Sequence, residues 1–234
     1  MPRAPSCRAR VAGIRWVAPD VLEVNLVMVA PPELAFEAGQ WIAIPLGEKT
    51  VRPYSMASPP SARRVIRLCI DVKPGGSGSR YFRELSVGDE VVFQPPLGTL
   101  TLSPGSSAPV VMVAEEIGIV PFRSILLAEA ERGFPRSIAL YFTAPSRPHL
   151  LYHDDLTVLA ATHPGLRYRP MLSAPHAAWS EDVGSVLAAL DREAGDLRGH
   201  EARLCGGGDL VKAARELCLA HGIERRTIRY EKFW

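Results

Sequence analysis

The chain has 234 residues, of which 47% are hydrophobic and 22% are charged, a composition that supports a packed core and argues against extended disorder. Its net charge of +2 gives no support to nucleic-acid binding driven by overall charge. Its apolar runs are too short to cross a bilayer, and the basic N-terminus lacks the apolar stretch of a secretory signal. We therefore expect a cytoplasmic protein that neither spans a membrane nor binds nucleic acid.

The N-terminal part of the chain is predicted to be all-β apart from one helix. Apolar and β-branched segments follow one another between Pro/Gly turns, a spacing typical of a small antiparallel barrel. The helix is predicted at Ser79–Leu85, before the turn that contains Gly88 and Asp89. The predicted strands are Cys7–Ala18, Val21–Val29, Gln40–Leu46, Arg64–Val72 and Asp89–Pro96.

A Pro/Gly/Ser-rich segment, Leu100–Val110, is interpreted as a linker, after which strands and helices alternate. Such alternation predicts a parallel sheet covered on both faces. The domains are therefore placed at 1–103 and 108–234. The predicted strands are Val110–Ala114, Ser137–Thr143, Leu166–Leu172, Ala202–Cys205 and Thr227–Tyr230, and the predicted helices are Pro121–Arg132, Leu151–His163, Asp182–Leu190 and Asp209–His221.

The four cysteines and six histidines give no sign of a metal centre. No pair of cysteines has CxxC spacing, so neither a zinc ribbon nor an iron–sulfur cluster is encoded. Cys69 in a strand and Cys218 in a helix are expected to be core thiols. The histidines form no metal or catalytic-triad spacing, and no metal site is predicted.

Three short segments carry residues suited to binding a nucleotide. In Arg52–Ser55, RPYS, an arginine can bind phosphate, a tyrosine can stack on a ring and a serine can bond its polar edge. In Lys73–Ser79, KPGGSGS, glycines before a helix form a nest of N–H groups that suits an anion. In Cys205–Ala214, CGGGDLVKAA, glycines end a strand and Asp209 is a candidate N-cap.

These segments, in this order, give the chain a resemblance to the ferredoxin–NADP reductase superfamily over nearly its whole length. The shared motifs are the RxYS of a flavin-binding barrel, a Gly/Ser loop for the flavin phosphate, a GGxGxxP turn, a CGP or CGG turn and a terminal E-x-aromatic. Here they read Arg52–Ser55, Gly75–Ser79, Glu115–Pro121, Cys205–Gly208 and Glu231–Trp234. The resemblance implies an N-terminal antiparallel flavin-binding barrel followed by a Rossmann-like parallel-sheet nucleotide domain.

The resemblance also implies roles for the flavin-binding residues, including Pro53 as part of the RPYS motif. Arg52 would bind the flavin diphosphate, Tyr54 would stack on the isoalloxazine and Ser55 would lie near N5 and take part in catalysis. The phosphate loop, Gly75, Gly76 and Ser79, gives a diphosphate a second anchor, which favours FAD over FMN.

For the nucleotide domain the resemblance implies that Cys205, followed by Gly206, lies beside the nicotinamide and is a second catalytic candidate. Phe233 or Trp234 would lie against the other face of the flavin; a C-terminal aromatic that only covers this edge is the alternative.

The turn EEIGIVP departs from the family pattern. Gly118 and Pro121 match it, but Glu115 and Glu116 stand where two glycines would leave room for a pyrophosphate. A carboxylate about 4 Å from a phosphate charge costs about 4 kcal/mol at an effective dielectric of 20, and about 1 kcal/mol if the side chain swings into water. Both residues would also be strained if their φ angles were positive. One glutamate could instead take the place of phosphate at the helix start, or the turn could shift and still bind NADH.

The resulting interpretation is a flavoprotein oxidoreductase that passes electrons through FAD to or from a separate redox protein, with impaired or absent pyridine-nucleotide binding. In the superfamily that the chain resembles, members that take NADP usually carry basic residues directly after the second and third strands of the nucleotide domain. Here those segments read TAPSRPH and SAPHAAW, in which Arg147 is the one arginine or lysine, so the resemblance favours NAD over NADP. One alternative is an ordinary NADH-dependent reductase. Another is a non-catalytic subunit or assembly factor that retains the fold.

Overall fold

The computed structural model describes residues 6–47, 50–175, 179 and 182–233. The chain divides into two compact units: residues 1–101 with 120–128, and residues 102–119 with 129–234. The segment 120–128 belongs to the first unit, in which Arg123 and Ser124 donate hydrogen bonds to backbone carbonyl oxygens at 2.8 and 2.7 Å. The linear boundaries expected from the sequence, 1–103 and 108–234, stay a prediction.

Besides residues 120–128, the described part of the first unit forms six antiparallel strands and the helix α1. The strands pair in the order β4-β3-β6-β1-β2-β5, and a bridge between Met56 and Leu68 joins the two outer strands. The sheet thereby closes on itself, which confirms the predicted antiparallel barrel. The elements are β1 (Cys7–Ala18), β2 (Val21–Ala30), β3 (Trp41–Pro45), β4 (Val51–Ser55), β5 (Val65–Asp71), α1 (Ser77–Glu84) and β6 (Glu90–Leu97).

Side-chain alternation explains how these strands enclose a core. In β1, Cys7, Ala9 and Val11 are buried whereas Arg8 and Arg10 are exposed, as expected for a strand with one face toward water. Phe82 of α1 joins the same core. Helix α1 is thus fixed to the barrel by an apolar side chain, which holds the glycine-rich segment before it in place.

The second unit is built around a parallel sheet, as predicted. The order of its five strands is β11-β10-β7-β8-β9, and every pair in it is parallel. The order reverses between β7 and β10, and open α/β sheets bind their ligands outside the carboxyl ends of strands at such a point. From residue 110 onward the elements are β7 (Val110–Glu115), α2 (Ile119–Glu131, of which residues 120–128 belong to the first unit), β8 (Ile138–Ala144), α3 (His153–Thr162), β9 (Leu166–Leu172), α4 (Val186–Ala194), β10 (Glu201–Gly206), α5 (Gly208–Ala220) and β11 (Ile228–Lys232).

The predicted helix start at Asp182 is wrong. The carbonyl of Asp182 accepts a hydrogen bond from Leu172 N–H, and the N–H of Gly184 donates to Leu172 O, so the chain there extends the end of β9. Helix α4 begins only at Val186, where the Ser185 side chain accepts a hydrogen bond from Ala188 N–H. A serine N-cap, rather than the upstream aspartate, therefore marks the helix start.

All four cysteines are buried free thiols. Within the described ranges, no helix is long and apolar enough to cross a membrane. Over the same residues, no three His, Cys, Asp or Glu side chains lie together in a way that could hold a metal ion.

Candidate functional site

The flavin-side residues of the RPYS motif lie on β4, which pairs with β3. Ser55 is buried, Tyr54 is half-buried, and Arg52 and Pro53 are exposed. The exposed guanidinium of Arg52 donates a hydrogen bond to the carbonyl of Val51 at 3.1 Å. The strand therefore presents an arginine to solvent and holds the ring and hydroxyl of the next residues closer to the barrel.

Tyr54 has a defined environment within the barrel. Its ring lies 4.8 Å from that of Phe82 with an interplanar angle of 74°, an edge-to-face geometry. Burial raises the pKa of Tyr54 to about 12, against a lowering influence of Arg52 and a small raising one of Tyr81. The phenol is consequently neutral at physiological pH and offers an uncharged aromatic surface.

The glycine-rich segment forms an open loop before α1. Gly75 has a φ of +66°, Gly76 is the N-cap residue in an extended conformation, and a Cβ at either position would meet nothing within 4 Å. The first N–H groups of a helix have no partner inside it and suit an anion. Ser79 is buried in the first turn of the helix. This open, N–H-rich loop fits a diphosphate.

Two residues of this region were missed by the sequence reasoning. Arg80 is exposed, and its guanidinium donates to the carbonyl of Gly75 at 3.0 Å, which adds a positive charge to the loop. Gly78 lies against Tyr54, since a Cβ on Gly78 would be 2.2 Å from the Tyr54 hydroxyl oxygen. That contact brings the RPYS strand and the glycine-rich segment together. A basic residue soon after the loop was the available signal for Arg80, whereas the Gly78 contact has no local signal.

The nucleotide-side residues lie at the carboxyl ends of β7 and β10, where Ala114 pairs with Cys205. A Cβ at Gly118 would be 2.2 Å from the carbonyl oxygen of Cys205, so only glycine fits there. Its φ of −61° is ordinary, and the close approach of two backbone segments is the reason for glycine. Pro121 is the third residue of α2, in the first turn, where its missing N–H removes no hydrogen bond within the helix.

The two glutamates adopt different conformations. Glu116 has a φ of +46°, in the left-handed region, whereas Glu115 is extended with a φ of −127°. The strain considered for both residues therefore applies to Glu116 alone. A carboxylate oxygen of Glu115 accepts a hydrogen bond from the N–H of Gly207, the N-cap residue of α5, at 2.9 Å. A glutamate thus does occupy a helix start, but that of α5 and not of α2.

The turn between β10 and α5 packs closely against Glu115. Gly206 has a φ of +157°, and a Cβ there would lie 2.8 Å from the Cβ of Glu115. Asp209 is the second residue of α5, so its prediction as N-cap is wrong; the N-cap is Gly207, two residues earlier than expected. The negative charge of Asp209 still favours the helix start.

Cys205 and the C-terminal residues complete this edge of the sheet. Cys205 is fully buried, and burial raises the pKa of its thiol well above the ordinary value, with a further contribution from Glu231. The N–H of Phe233 donates to the carbonyl of Gly206 at 3.1 Å, so the backbone of Phe233 lies beside the glycine turn. The expected position of Cys205 beside a nicotinamide stays a prediction, and Trp234 lies outside the described residues.

Two family models of oxidoreductase domains match the chain. The model of an oxidoreductase FAD-binding domain matches residues 9–102, and that of an oxidoreductase NAD-binding domain matches residues 112–216. A ferredoxin–NADP reductase B from Sorangium cellulosum is 32% identical over the full length of both chains. The reductase component of propane 2-monooxygenase from Rhodococcus jostii is 30% identical over 97% of this chain, which spans 63% of that relative.

Solved structures give the same result. The Amycolatopsis cytochrome P450 reductase GcoB superposes with a TM-score of 0.87 and 28% identity, over 98% of this chain and 70% of that one. A ferredoxin NADP+ reductase from Neisseria gonorrhoeae with bound FAD and NADP has the same fold, with a TM-score of 0.83 and 20% identity over 99% of this chain and all of that one. The chain therefore belongs to the ferredoxin–NADP reductase superfamily, with an FAD-binding domain followed by an NAD-binding domain.

Proposed function

We propose that this protein is an FAD-dependent electron-transfer reductase whose partner is a separate redox protein, and that Glu115 weakens the binding of pyridine nucleotides. Bound FAD would supply the ability to exchange electrons in pairs or singly. The observation that carries the second half of the proposal is the 2.9 Å hydrogen bond from Gly207 N–H to the Glu115 carboxylate.

The residues proposed to hold FAD lie in the barrel unit. The guanidinium of Arg52 and the open backbone at Gly75 and Gly76 would bind the diphosphate, because N–H groups and arginine pair with phosphate oxygens. The neutral ring of Tyr54 would stack on the isoalloxazine, and the Ser55 hydroxyl would hydrogen-bond its polar edge. Ser55 is buried, so this hydroxyl is largely shielded from bulk water.

The proposed partner follows from the relatives. The similar proteins from Rhodococcus jostii and from a Ralstonia species are named as reductase components, the latter as the ferredoxin–NAD(P)+ reductase component of naphthalene 1,2-dioxygenase and salicylate 5-hydroxylase systems. A component passes its electrons to another protein of its system. We therefore propose a ferredoxin or an oxygenase component as the electron acceptor or donor of this chain.

The effect of Glu115 on nucleotide binding has two physical sources. Its carboxylate already accepts from Gly207, and a hydrogen bond to a charged group contributes about 1.5–3 kcal/mol that an incoming phosphate would have to replace. A phosphate that entered without displacing it would meet a like charge, at a cost of about 4 kcal/mol for a 4 Å separation at an effective dielectric of 20. Either route lowers the affinity by at least about tenfold, since 1.4 kcal/mol corresponds to one decade.

Anaerobic titration with NADH, followed by the flavin absorbance, tests the proposal. Glu115→Gly with Glu116→Gly is expected to reduce the NADH concentration needed for half-maximal bleaching by about tenfold or more. Glu115→Gln separates charge from size, because its amide oxygen can still accept from Gly207 while the charge is gone. Glu216→Gln is the matched control: it removes one exposed negative charge from the same unit and should leave the titration unchanged.

The outcomes distinguish the three interpretations. Tight NADH binding by the natural chain, unchanged in the double variant, would refute the role of Glu115 and establish the ordinary NADH-dependent reductase, which the match to the NAD-binding domain favours. A purified protein that binds no FAD would leave only the non-catalytic subunit. Bleaching by a reduced ferredoxin, but only weakly by NADH, is the result that the proposal predicts.

A further inference from the structure

Gly78, in the first turn of α1, lies in close contact with Tyr54, the aromatic residue of β4. A Cβ at Gly78 would lie 2.2 Å from the Tyr54 hydroxyl oxygen and 3.5 Å from Cζ of the same ring. Gly78 is a helical residue without a positive φ, so its backbone would accept any side chain. The position of the Tyr54 hydroxyl is therefore what requires glycine at this point.

The Tyr54 ring has little freedom to avoid a side chain at Gly78. It packs edge-to-face on Phe82, whose ring centroid is 4.8 Å away and which is only 1% exposed. Leu46 is also close, with its Cδ1 at 3.7 Å from the position of the added Cβ. A displaced Tyr54 ring would have to move away from Phe82 and thus away from its place beside α1.

We propose that Gly78 is a positioning residue for Tyr54. Because Gly78 has no side chain, the Tyr54 ring can occupy the position from which it stacks on the flavin. The inference rests on the stacking role of Tyr54 in the proposed function. Gly78 would then couple recognition of the diphosphate to recognition of the isoalloxazine. It belongs to the helix start that follows the phosphate loop, and it contacts the ring of Tyr54, which stacks on the isoalloxazine.

A purely helical role and a positioning role of Gly78 predict different effects of alanine at this position. Alanine favours a helix more than glycine does, so a purely helical role predicts that Gly78→Ala stabilises the apoprotein and leaves FAD binding unaffected. A positioning role predicts weaker FAD binding that depends on the Tyr54 hydroxyl. The hydroxyl can be removed by Tyr54→Phe, after which the nearest atom of this ring, Cζ, lies at an ordinary contact distance of 3.5 Å.

The experiment is a double-mutant cycle in the full chain. FAD dissociation constants of the apoproteins are measured by quenching of FAD fluorescence for the natural chain, Gly78→Ala, Tyr54→Phe, the double variant and Tyr54→Ala. Gly78→Ala is expected to weaken binding by about tenfold or more when Tyr54 is present, and by less than about twofold in the Tyr54→Phe background. Glu84→Ala, at an exposed position in the last turn of α1, is the control for adding alanine to this helix.

Each result decides the proposal. Unchanged affinity in Gly78→Ala, or an equal loss in both backgrounds, overturns it. Undiminished binding by Tyr54→Ala refutes the stacking role itself, and the inference with it, whereas weak binding by Tyr54→Ala together with normal binding by Gly78→Ala refutes the inference alone. If Gly78→Ala fails to fold, a double variant that folds and binds like Tyr54→Phe supports the proposal, and a double variant that also fails overturns it.

Discussion

Gly118 lies so close to the end of β10 that its α-carbon leaves no room for a side chain. The nearest atoms to an added Cβ would be the carbonyl oxygen, the carbonyl carbon and the next amide nitrogen of the Cys205–Gly206 peptide, at 2.2, 2.7 and 3.1 Å. All three are backbone atoms in a paired strand or at its end, so none can rotate out of the way. Glycine at position 118 therefore allows the turn after β7 to lie against the end of β10.

Substitution of Gly118 by alanine should destabilise the second unit. We expect a loss of about 1–3 kcal/mol in the free energy of unfolding, typical of an overpacked site, because β7 and β10 must move apart locally. Urea unfolding followed by circular dichroism measures it. Gly13→Ala is the control, since a Cβ there would meet only the Asn25 side-chain nitrogen at 3.7 Å; an equal effect of the two substitutions would contradict the explanation.

At this scale the sequence identifies residue types well and long-range contacts poorly. The RPYS and glycine motifs mark the candidate flavin-binding residues of one unit, and the CGGG motif marks the candidate nucleotide-binding turn of the other, because each motif is contiguous. The hydrogen bond between Glu115 and Gly207 joins residues 92 positions apart, and the Gly78–Tyr54 contact joins two motifs. Neither contact follows from local spacing, because both depend on the pairing of strands and on the packing of α1 on the barrel.

At the scale of elements, α4 and α5 are joined through a histidine at the end of α5. His221 Nδ1 lies 2.7 Å from the carbonyl oxygen of Gly195, and Nε2 lies 2.8 Å from a carboxylate oxygen of Asp191. Both partners are acceptors, so both ring nitrogens must carry a proton to donate to them. The hydrogen bond to Asp191, followed by that to Gly195, raises the pKa of His221.

This histidine predicts a pH dependence of stability. Because the pKa is higher in the folded than in the unfolded chain, the stabilisation is fully present below the unfolded value of about 6.5 and is lost as the pH rises through the folded pKa. The difference in free energy of unfolding between the natural chain and His221→Gln should therefore shrink from pH 5 to pH 9. Asp191→Asn should reduce the same pH dependence; a difference that grows with pH would contradict this assignment.

Most of the helices and strands can be predicted from the sequence, because the spacing of apolar residues within each element is a local property. The strands of the barrel and of the parallel sheet agree with the predicted segments to within a few residues, except that β4 (Val51–Ser55) was not predicted as a strand. The start of α4 was placed four residues too early, because Val183 pairs with Leu172 and the extended conformation this requires outweighs the helical preference of the segment. The start of α4 is thus set by the pairing of Val183 with Leu172, and this long-range contact cannot be read from the local sequence.

At the scale of the whole molecule, a buried charged cluster anchors the beginning of the second unit. Glu201 forms an ion pair with Arg203, and both side chains are almost fully buried. Ser103, at the start of the unit, donates its hydroxyl hydrogen to Glu201 at 2.8 Å, and Arg203 donates to the carbonyl of Thr227 at 3.0 Å. The cluster therefore ties the segment that leads into the unit to β10 and to the residue just before β11.

Removing the charge of Glu201 should be strongly destabilising, because Arg203 would be left buried with its countercharge gone. Glu201→Gln is expected to lower the free energy of unfolding by about 3–5 kcal/mol. Glu224→Gln breaks an exposed ion pair with Arg226 and should lower it by less than about 1 kcal/mol. Chemical denaturation of the two variants compares these values directly, and similar losses would show that the cluster contributes no more than a surface pair.

The burial of the thiols has a consequence for how the folding of this protein can be followed. Cys7 and Cys69 belong to the barrel unit, whereas Cys205 and Cys218 belong to the other. Because all four residues are buried, alkylation should be slow while both units are folded, and the unfolding of one unit should expose two cysteines that the other unit does not contain. The natural cysteines of each unit can therefore serve as chemical probes for the unfolding of that unit.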